Sequence, residues 1–297
     1  MDDSAAHGLT GRIELKLLGN QNYSMIKMDN DVVIAKNLSV GYANSPVWKD
    51  ATFRVKRGEF VAVIGPNGSG KTTMFRLLLG MQKPIKGDIT LFGQRPTRGN
   101  PRIGYVPQRH LIDNETSVEC IELVRLAYSG YKLGFSISSK EEKKVAYSAL
   151  KAVGSTELAN KPLSALSGGE MQRIFLAEAL VSNPDILLLD EPLSNLDIKR
   201  ANDLVRLIAK VTKSRNVTTF LVAHDINPLI QFLDKIVYIA NGKVATGTPK
   251  EVLTSRRLTA LYGTHVEVLR DSRGHILIHS LYGPQDEQKE VYSNASK

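Results

Sequence analysis

The sequence predicts an α/β fold with a mainly parallel sheet covered on both faces. Three observations predict it. Short, continuously apolar runs alternate with helical segments, the pattern of strands buried on both faces. A Gly-rich loop joins one of those runs directly to a helix. The chain has 297 residues, 42% of them apolar, which suits one large α/β domain with additions, or two domains.

The elements follow in order. Residues 1–28 are mixed in character. Ile13, Leu15 and Leu17 alternate with polar residues and fit one short strand, and the segment reads as an appendage. Strands are expected at 32–34, 51–55 and 60–64. The apolar run 74–79 has helical character, and 103–106 reads as a further strand. From about 109 to 165 the chain reads as mainly helical, with Glu/Lys-rich stretches such as 139–144. Then come a strand at 186–189, a helix near 199–211, a strand at 218–222, a short helix, and a strand at 236–239. The tail from 251 carries His265, His275 and His279. It is read as a C-terminal hairpin with surface histidines, residues 275–279 forming a strand.

Composition removes several classes. One cysteine, Cys120, excludes an intramolecular disulfide framework and a cysteine-cluster metal site. No apolar run approaches the ~18 residues needed to cross a bilayer. The acidic start Met1-Asp2-Asp3-Ser4 is not a secretory signal. The chain is therefore expected neither to span a membrane nor to enter the secretory route unaided. Its 39 basic against 30 acidic residues give a charge of +9. The basic residues are dispersed, with no stripe interleaved with aromatics, so no nucleic-acid partner is expected.

Gly65-Pro66-Asn67-Gly68-Ser69-Gly70-Lys71-Thr72 satisfies every fixed position of G-x-x-x-x-G-K-[ST], between a strand and a helix. Glycines let the backbone wrap closely and turn its N–H groups toward phosphate oxygens. The helix N-terminus adds partial positive charge for the same anion. Lys71 suits the β/γ-phosphates, and the Thr72 hydroxyl suits Mg²⁺. Farther on, the strand 186–189 ends in Asp190-Glu191. Ligands of open α/β sheets bind outside the carboxyl ends of strands, so both acids are expected beside the phosphate loop. Asp190 is then a partner of Mg²⁺, and Glu191 is placed to polarise a water for in-line attack on the γ-phosphate.

Leu166-Ser167-Gly168-Gly169-Glu170, followed by Met171-Gln172-Arg173, resembles the signature of the ATP-binding cassette (ABC) ATPases. The rest of that family's set stands in order over about residues 31–250. Tyr42 is where the family stacks an aromatic on adenine. Gln108 resembles the Q-loop glutamine, Ser194-Asn195-Leu196-Asp197 the D-loop, and His224 the switch histidine.

The resemblance implies an ABC-type P-loop ATPase domain over 29–250. It has a mainly parallel RecA-like core, an antiparallel β subdomain and a helical subdomain at about 109–165, with 1–28 as an extension and 251–297 as a tail. It also implies ATP and Mg²⁺ as cofactors. Tyr42, Gly65 to Thr73, Ser167, Gly168, Gly169 and Asp197 would contact nucleotide. Thr72, Gln108 and Asp190 would complete the metal shell, and Lys71, Gln108, Glu191 and His224 would serve the chemistry.

Two departures from the family pattern stand out: Glu170 replaces a common Gln, and Glu178 a common Arg. Helical spacing puts Glu178 on the side of Met171 and Ile174, where a carboxylate needs a basic or hydrogen-bonding partner.

With one P-loop and one signature, the chain is expected to work as a pair, most simply a homodimer, the signature of each copy closing on the nucleotide of the other. Residues 103–109, 130–135, 139–142 and Leu261-Tyr262-Gly263 are similar to the ATPase subunits of bacterial zinc/manganese importers. That likeness implies a peripheral subunit on the cytoplasmic face of the cell membrane. Its partners would be integral membrane permease subunits and, indirectly, an extracytoplasmic substrate-binding protein. The alternatives are a soluble single-cassette ATPase of the iron–sulfur assembly type, or an importer ATPase for another substrate such as an iron chelate.

Overall fold

The computed structural model describes residues 30–42, 45–108, 117–130, 139–272 and 274–280. The expected strand at 13–17, Arg109 and residues 131–135 of the importer-like segments, and the end of the tail from 281 lie outside the described residues.

A six-stranded sheet forms the centre: β3 (Phe60–Ile64), β5 (Ile103–Val106), β6 (Ile186–Asp190), β7 (Thr218–Val222), β8 (Lys235–Ala240) and β9 (Lys243–Gly247). The spatial order is β5-β6-β7-β3-β8-β9. Pairing is parallel except between β8 and β9. Because side chains alternate across a strand, each strand feeds two cores. Phe60, Ala62 and Ile64 of β3, with Leu187 and Leu189 of β6, face one side. Val61 and Val63, with Ile186 and Leu188, face the other. Hence these runs read as continuously apolar rather than alternating.

The second side is covered by helix α1 (Lys71–Leu78) and a three-stranded antiparallel sheet. That sheet has the order β2-β1-β4, from β1 (Asp31–Tyr42), β2 (Ser45–Lys56) and β4 (Lys86–Leu91). Met74, Phe75, Leu77 and Leu78 of α1 pack there with Trp48 and Leu38. The first side is covered by α4 (Gly168–Leu180) and α5 (Ile198–Arg215), and α2 (Cys120–Gly130) and α3 (Ser139–Ala152) pack together on α4. Beyond β9 come α6 (Pro249–Val252), α7 (Ser255–Tyr262) and a hairpin of β10 (Val266–Arg270) and β11 (Ile276–Ser280). Val252, Leu258, Leu261, Val266 and Ile276 join the same core as α4 and α5.

Several elements differ from the sequence reading. β1 and β2 are 12 residues each, far longer than the expected apolar triplet and pentad. Lys36-Asn37 interrupts the apolar pattern because Asn37 sits at φ +46 in a bulge, after which Leu38 and Val40 resume burial. β4 escaped because Lys86-Gly87-Asp88 hides the Ile89/Leu91 alternation. β9 carried a readable signal, Asn241-Gly242, both at positive φ, the residues a two-residue hairpin turn requires. Between β7 and β8 the expected short helix is replaced by turns. There Asp225 Oδ1 accepts from the backbone N–H of Asn227 at 2.9 Å, a side-chain bond that competes with helix formation.

Helix α4 accounts for both departures. Glu170 closes a capping box: its Oε2 accepts from Ser167 N at 2.9 Å and from Ser167 Oγ at 2.7 Å. These bonds hold the Glu170 carboxyl below the usual carboxylate range. Glu178 lacks the expected partner among the described residues, and burial pushes its carboxyl up to about 7. The folded state therefore holds that proton more tightly than the unfolded chain. Stability from this group is complete below the unfolded value of 4.5 and falls as pH rises to about 7, by roughly 2–3 kcal/mol. Glu178→Gln should therefore raise the melting temperature by several degrees at pH 8 and change little at pH 4.5. Thermal melts of both proteins at the two pH values check this.

Candidate functional site

Four neighbouring parallel strands end at one rim. β3 runs into residues 65–72, β5 into Gln108, β6 into Asp190-Glu191 and β7 into His224. Register aligns them: Val106 pairs with Leu189, Asp190 with Val222, and Val222 with Val63. Residues far apart in the chain thus meet where ligands of open α/β sheets bind.

The phosphate loop is shaped by two glycines in particular. Gly65 has φ +155, and a Cβ there would stand 2.1 Å from the Ile239 carbonyl oxygen. Gly70 has φ +101, and a Cβ would stand 2.6 Å from Val47 Cγ1 and 2.9 Å from the Trp48 ring. Only glycine satisfies both the dihedral and the space. Lys71 is 6% exposed, and its Nζ donates to Gly65 O at 2.8 Å and Pro66 O at 3.0 Å. Burial lowers the Lys71 pKa, opposed by the nearby carboxylates of Glu191 and Asp190. Ser69 Oγ is buried without a hydrogen-bond partner. A buried hydroxyl in that condition fits an anion brought into the loop. The Thr72 side chain is exposed at the helix start, while Thr73 is buried behind it.

Asp190 is 4% exposed, and burial raises its pKa, as does Glu191, against the lowering influence of Lys71 and Arg76. Glu191 is gripped from two sides. Gln108 Nε2 donates to its Oε2 at 2.6 Å, and His224 Nε2 lies 2.9 Å from its Oε1. The Glu191 backbone is left-handed at φ +52, a conformation that costs a non-glycine residue about 1–2 kcal/mol. Ser194 N and Oγ, both bonded to the Glu191 carbonyl at 3.1 and 2.9 Å, hold the turn that imposes it. Strain at a carboxylate beside a phosphate loop is the kind that accompanies function.

Ser167 is the N-cap of α4, with Gly168 and Gly169 in its first turn. The cavity beside them is lined by Ser167, Gly169, Glu170, Arg173, Arg200 and Asp203, among others, and contains no residue of the phosphate loop. Asp197 caps α5, accepting from Arg200 N at 2.9 Å. Tyr42 ends β1, is 54% exposed, and its hydroxyl accepts from Arg76 Nη1 at 2.6 Å. Its ring is available as a stacking platform near the end of α1.

Trp48, which walls Gly70, went unnoticed in the sequence because a lone core tryptophan carries no motif.

The family model for ABC transporters matches residues 48–194. The manganese transport system ATP-binding protein of Bacillus subtilis is 33% identical over 242 residues, covering 80% of this chain and 96% of that one. This chain belongs to the ABC transporter family. The zinc transport system ATP-binding protein of Treponema pallidum is 30% identical, covering 80% of this chain and 90% of that one. The zinc import ATP-binding protein of Pseudomonas aeruginosa is 31% identical, covering 86% and 89%.

Among solved structures, a metal-chelate type ABC transporter in an inward-facing conformation superposes with TM-score 0.71 at 28% identity, covering 85% of this chain and 98% of that one. A dimeric ATP-binding cassette in a post-hydrolysis state, bound to ADP and Pi, superposes with TM-score 0.62 at 29% identity, covering 73% and 98%. This ABC protein is accordingly an ATP-binding, ATP-hydrolysing subunit of a transport system. Among the described residues no helix is long and apolar enough to cross a membrane.

Proposed function

We propose that this ABC ATPase energises uptake of a divalent metal ion such as zinc or manganese, from the cytoplasmic face of the membrane. The observation that carries the reading is Glu191, clasped by Gln108 and His224 on the rim that also holds the buried Lys71. The manganese and zinc transport names of its relatives supply the substrate class.

Residues 65–72 wrap the phosphates, with Lys71 neutralising the β/γ oxygens and Thr73 backing the loop. Tyr42 stacks on the adenine. Thr72, Asp190 and Gln108 are the oxygen donors that would hold Mg²⁺, as the hydroxyl, carboxylate and amide carbonyl of a hard-cation site. When bound, Mg²⁺ supplies charge neutralisation at the phosphates. Glu191 accepts a proton from the attacking water, and His224 holds the γ-phosphate end.

Each chain is half of a composite site. Ser167, Gly168 and Gly169, set apart from the chain's own phosphate loop, close on the nucleotide of a second copy, with Asp197 at the joint. ATP then closes the homodimer and hydrolysis reopens it, a γ-phosphate switch that moves the permease. An extracytoplasmic binding protein delivers the ion to the permease, and the transported metal never touches this chain.

Reconstitution of the chain with its permease and binding protein in liposomes tests this. ATP-dependent accumulation of radioactive zinc or manganese, absent with Glu191→Gln, is the expected result. ATP hydrolysis without uptake of either metal would overturn the substrate assignment.

A further inference from the structure

Three residues beyond His224, the side-chain amide of Asn227 bridges to the C-terminal hairpin. Its Oδ1 accepts from Ile276 N at 2.7 Å, and its Nδ2 donates to Ile276 O at 3.0 Å. The amide thus pairs with the start of β11 as a strand backbone would, taking both of the residue's main-chain groups. Nδ2 also donates to Asp225 Oδ1 at 3.0 Å, and the same oxygen accepts from Asn227 N. The turn carrying His224 is therefore tied to one residue of the hairpin at Asn227, and Asp225 in turn is tied to Asn227. Ile276 itself is 5% exposed and belongs to the main core, so the anchor is fixed. Glu191, His224, Asp225, Asn227 and His275 line a single cavity of about 540 Å³. The hairpin thus reaches the edge of the site rather than standing apart from it.

We infer that Asn227 is a positioning residue: by clasping Ile276 it makes the C-terminal hairpin the brace that sets His224 against Glu191. The inference rests on the reading of His224 as the residue at the γ-phosphate end. His224 is itself exposed and follows a strand end. Glu191 meets its ring, but its backbone is placed by the turn, which buried Ile226 and Leu229 hold on the core side and Asn227 ties to the hairpin. A misplacement of even ~1 Å at such a group is costly to turnover.

The test uses the full chain and steady-state MgATP hydrolysis. Asn227→Ala loses both bonds to Ile276; Asn227→Asp keeps the acceptor for Ile276 N–H and loses the donor. Asn227→Ala should lower kcat about tenfold, with KM for ATP and the far-UV spectrum unchanged, and Asn227→Asp, which sets a carboxylate oxygen against Asp225 Oδ1 and Ile276 O, should lose at least as much. The decisive arm is a double-mutant cycle with His224→Ala. If Asn227 acts through His224, Asn227→Ala costs nothing further in the His224→Ala background. Equal loss in both backgrounds would reduce Asn227 to a structural anchor and overturn the inference, as would unchanged kcat in Asn227→Ala. If His224→Ala alone hydrolyses at the wild-type rate, the reading of His224 has failed instead. Should Asn227→Ala melt far below the wild type, Asn227→Gln, which keeps an uncharged amide but displaces it by one methylene, carries the same comparison.

Discussion

Glu191→Gln should abolish most hydrolysis while leaving ATP binding in place. A general base contributes roughly 10²–10⁴-fold to such a step, so phosphate release should fall by at least two orders of magnitude. The substitution is nearly isosteric. The glutamine carbonyl can still accept from Gln108 Nε2, now 2.6 Å from Oε2, so the rim keeps its shape. What disappears is the capacity to take a proton from water. Because the remaining phosphate contacts come from residues 65–73, nucleotide affinity should change little. The variant should accumulate as an ATP-bound dimer, visible by light scattering in MgATP. Normal turnover in this variant, or full turnover from a copy prevented from dimerising, would remove the composite-site account.

The second large effect is expected from Lys71→Ala, and it should fall on binding rather than on the chemical step. Lys71 is the buried cation of the phosphate loop, and its ammonium donates to Gly65 O and Pro66 O. Charge-assisted bonds from such a group to phosphate are worth about 1.5–3 kcal/mol, so MgATP affinity should weaken by roughly one to two orders of magnitude. Lys71→Arg is no rescue, because the planar guanidinium demands space and geometry the loop does not provide. Titration with a fluorescent ATP analogue distinguishes the two variants: Glu191→Gln binds as the wild type does and does not turn over, whereas Lys71→Ala binds roughly one to two orders of magnitude more weakly. Equal affinity in wild type and Lys71→Ala would contradict the cradle.

Much of the fold was legible locally. β3, β5 and β7 match their apolar runs because a strand buried on both faces leaves a continuous apolar signature. α4 is announced by its N-cap, and α5 runs from Asp197 to an αL cap at Asn216. Where local signals weakened, the reading faltered. β4 and the middle of β1 carry glycine, asparagine and lysine at bulges and turns. Their strand character comes from pairing with neighbours rather than from propensity. In the tail, Leu258, Leu261 and Val266 are buried in the main core, a placement that no spacing within residues 251–280 encodes. Glu178 illustrates the same limit. Helical spacing predicts a partly covered carboxylate, but only packing leaves it without a partner among the described residues, where burial raises its pKa.

The order of the chemical parts was fixed by the sequence itself: a glycine loop with Lys71 and Thr72, an acid pair after a strand, a serine-glycine helix start, and a histidine after another strand. Such parts are short, and their physics is local. The convergence of Gln108, Glu191 and His224 within hydrogen-bond distance was decided only in three dimensions. It depends on strands β5, β6, β7 and β3 lying side by side in that order, although they are widely separated along the chain. The bridge from Asn227 to Ile276 is of the same kind. Long-range pairing chooses which strand ends are neighbours, and no periodicity or motif spacing carries that choice.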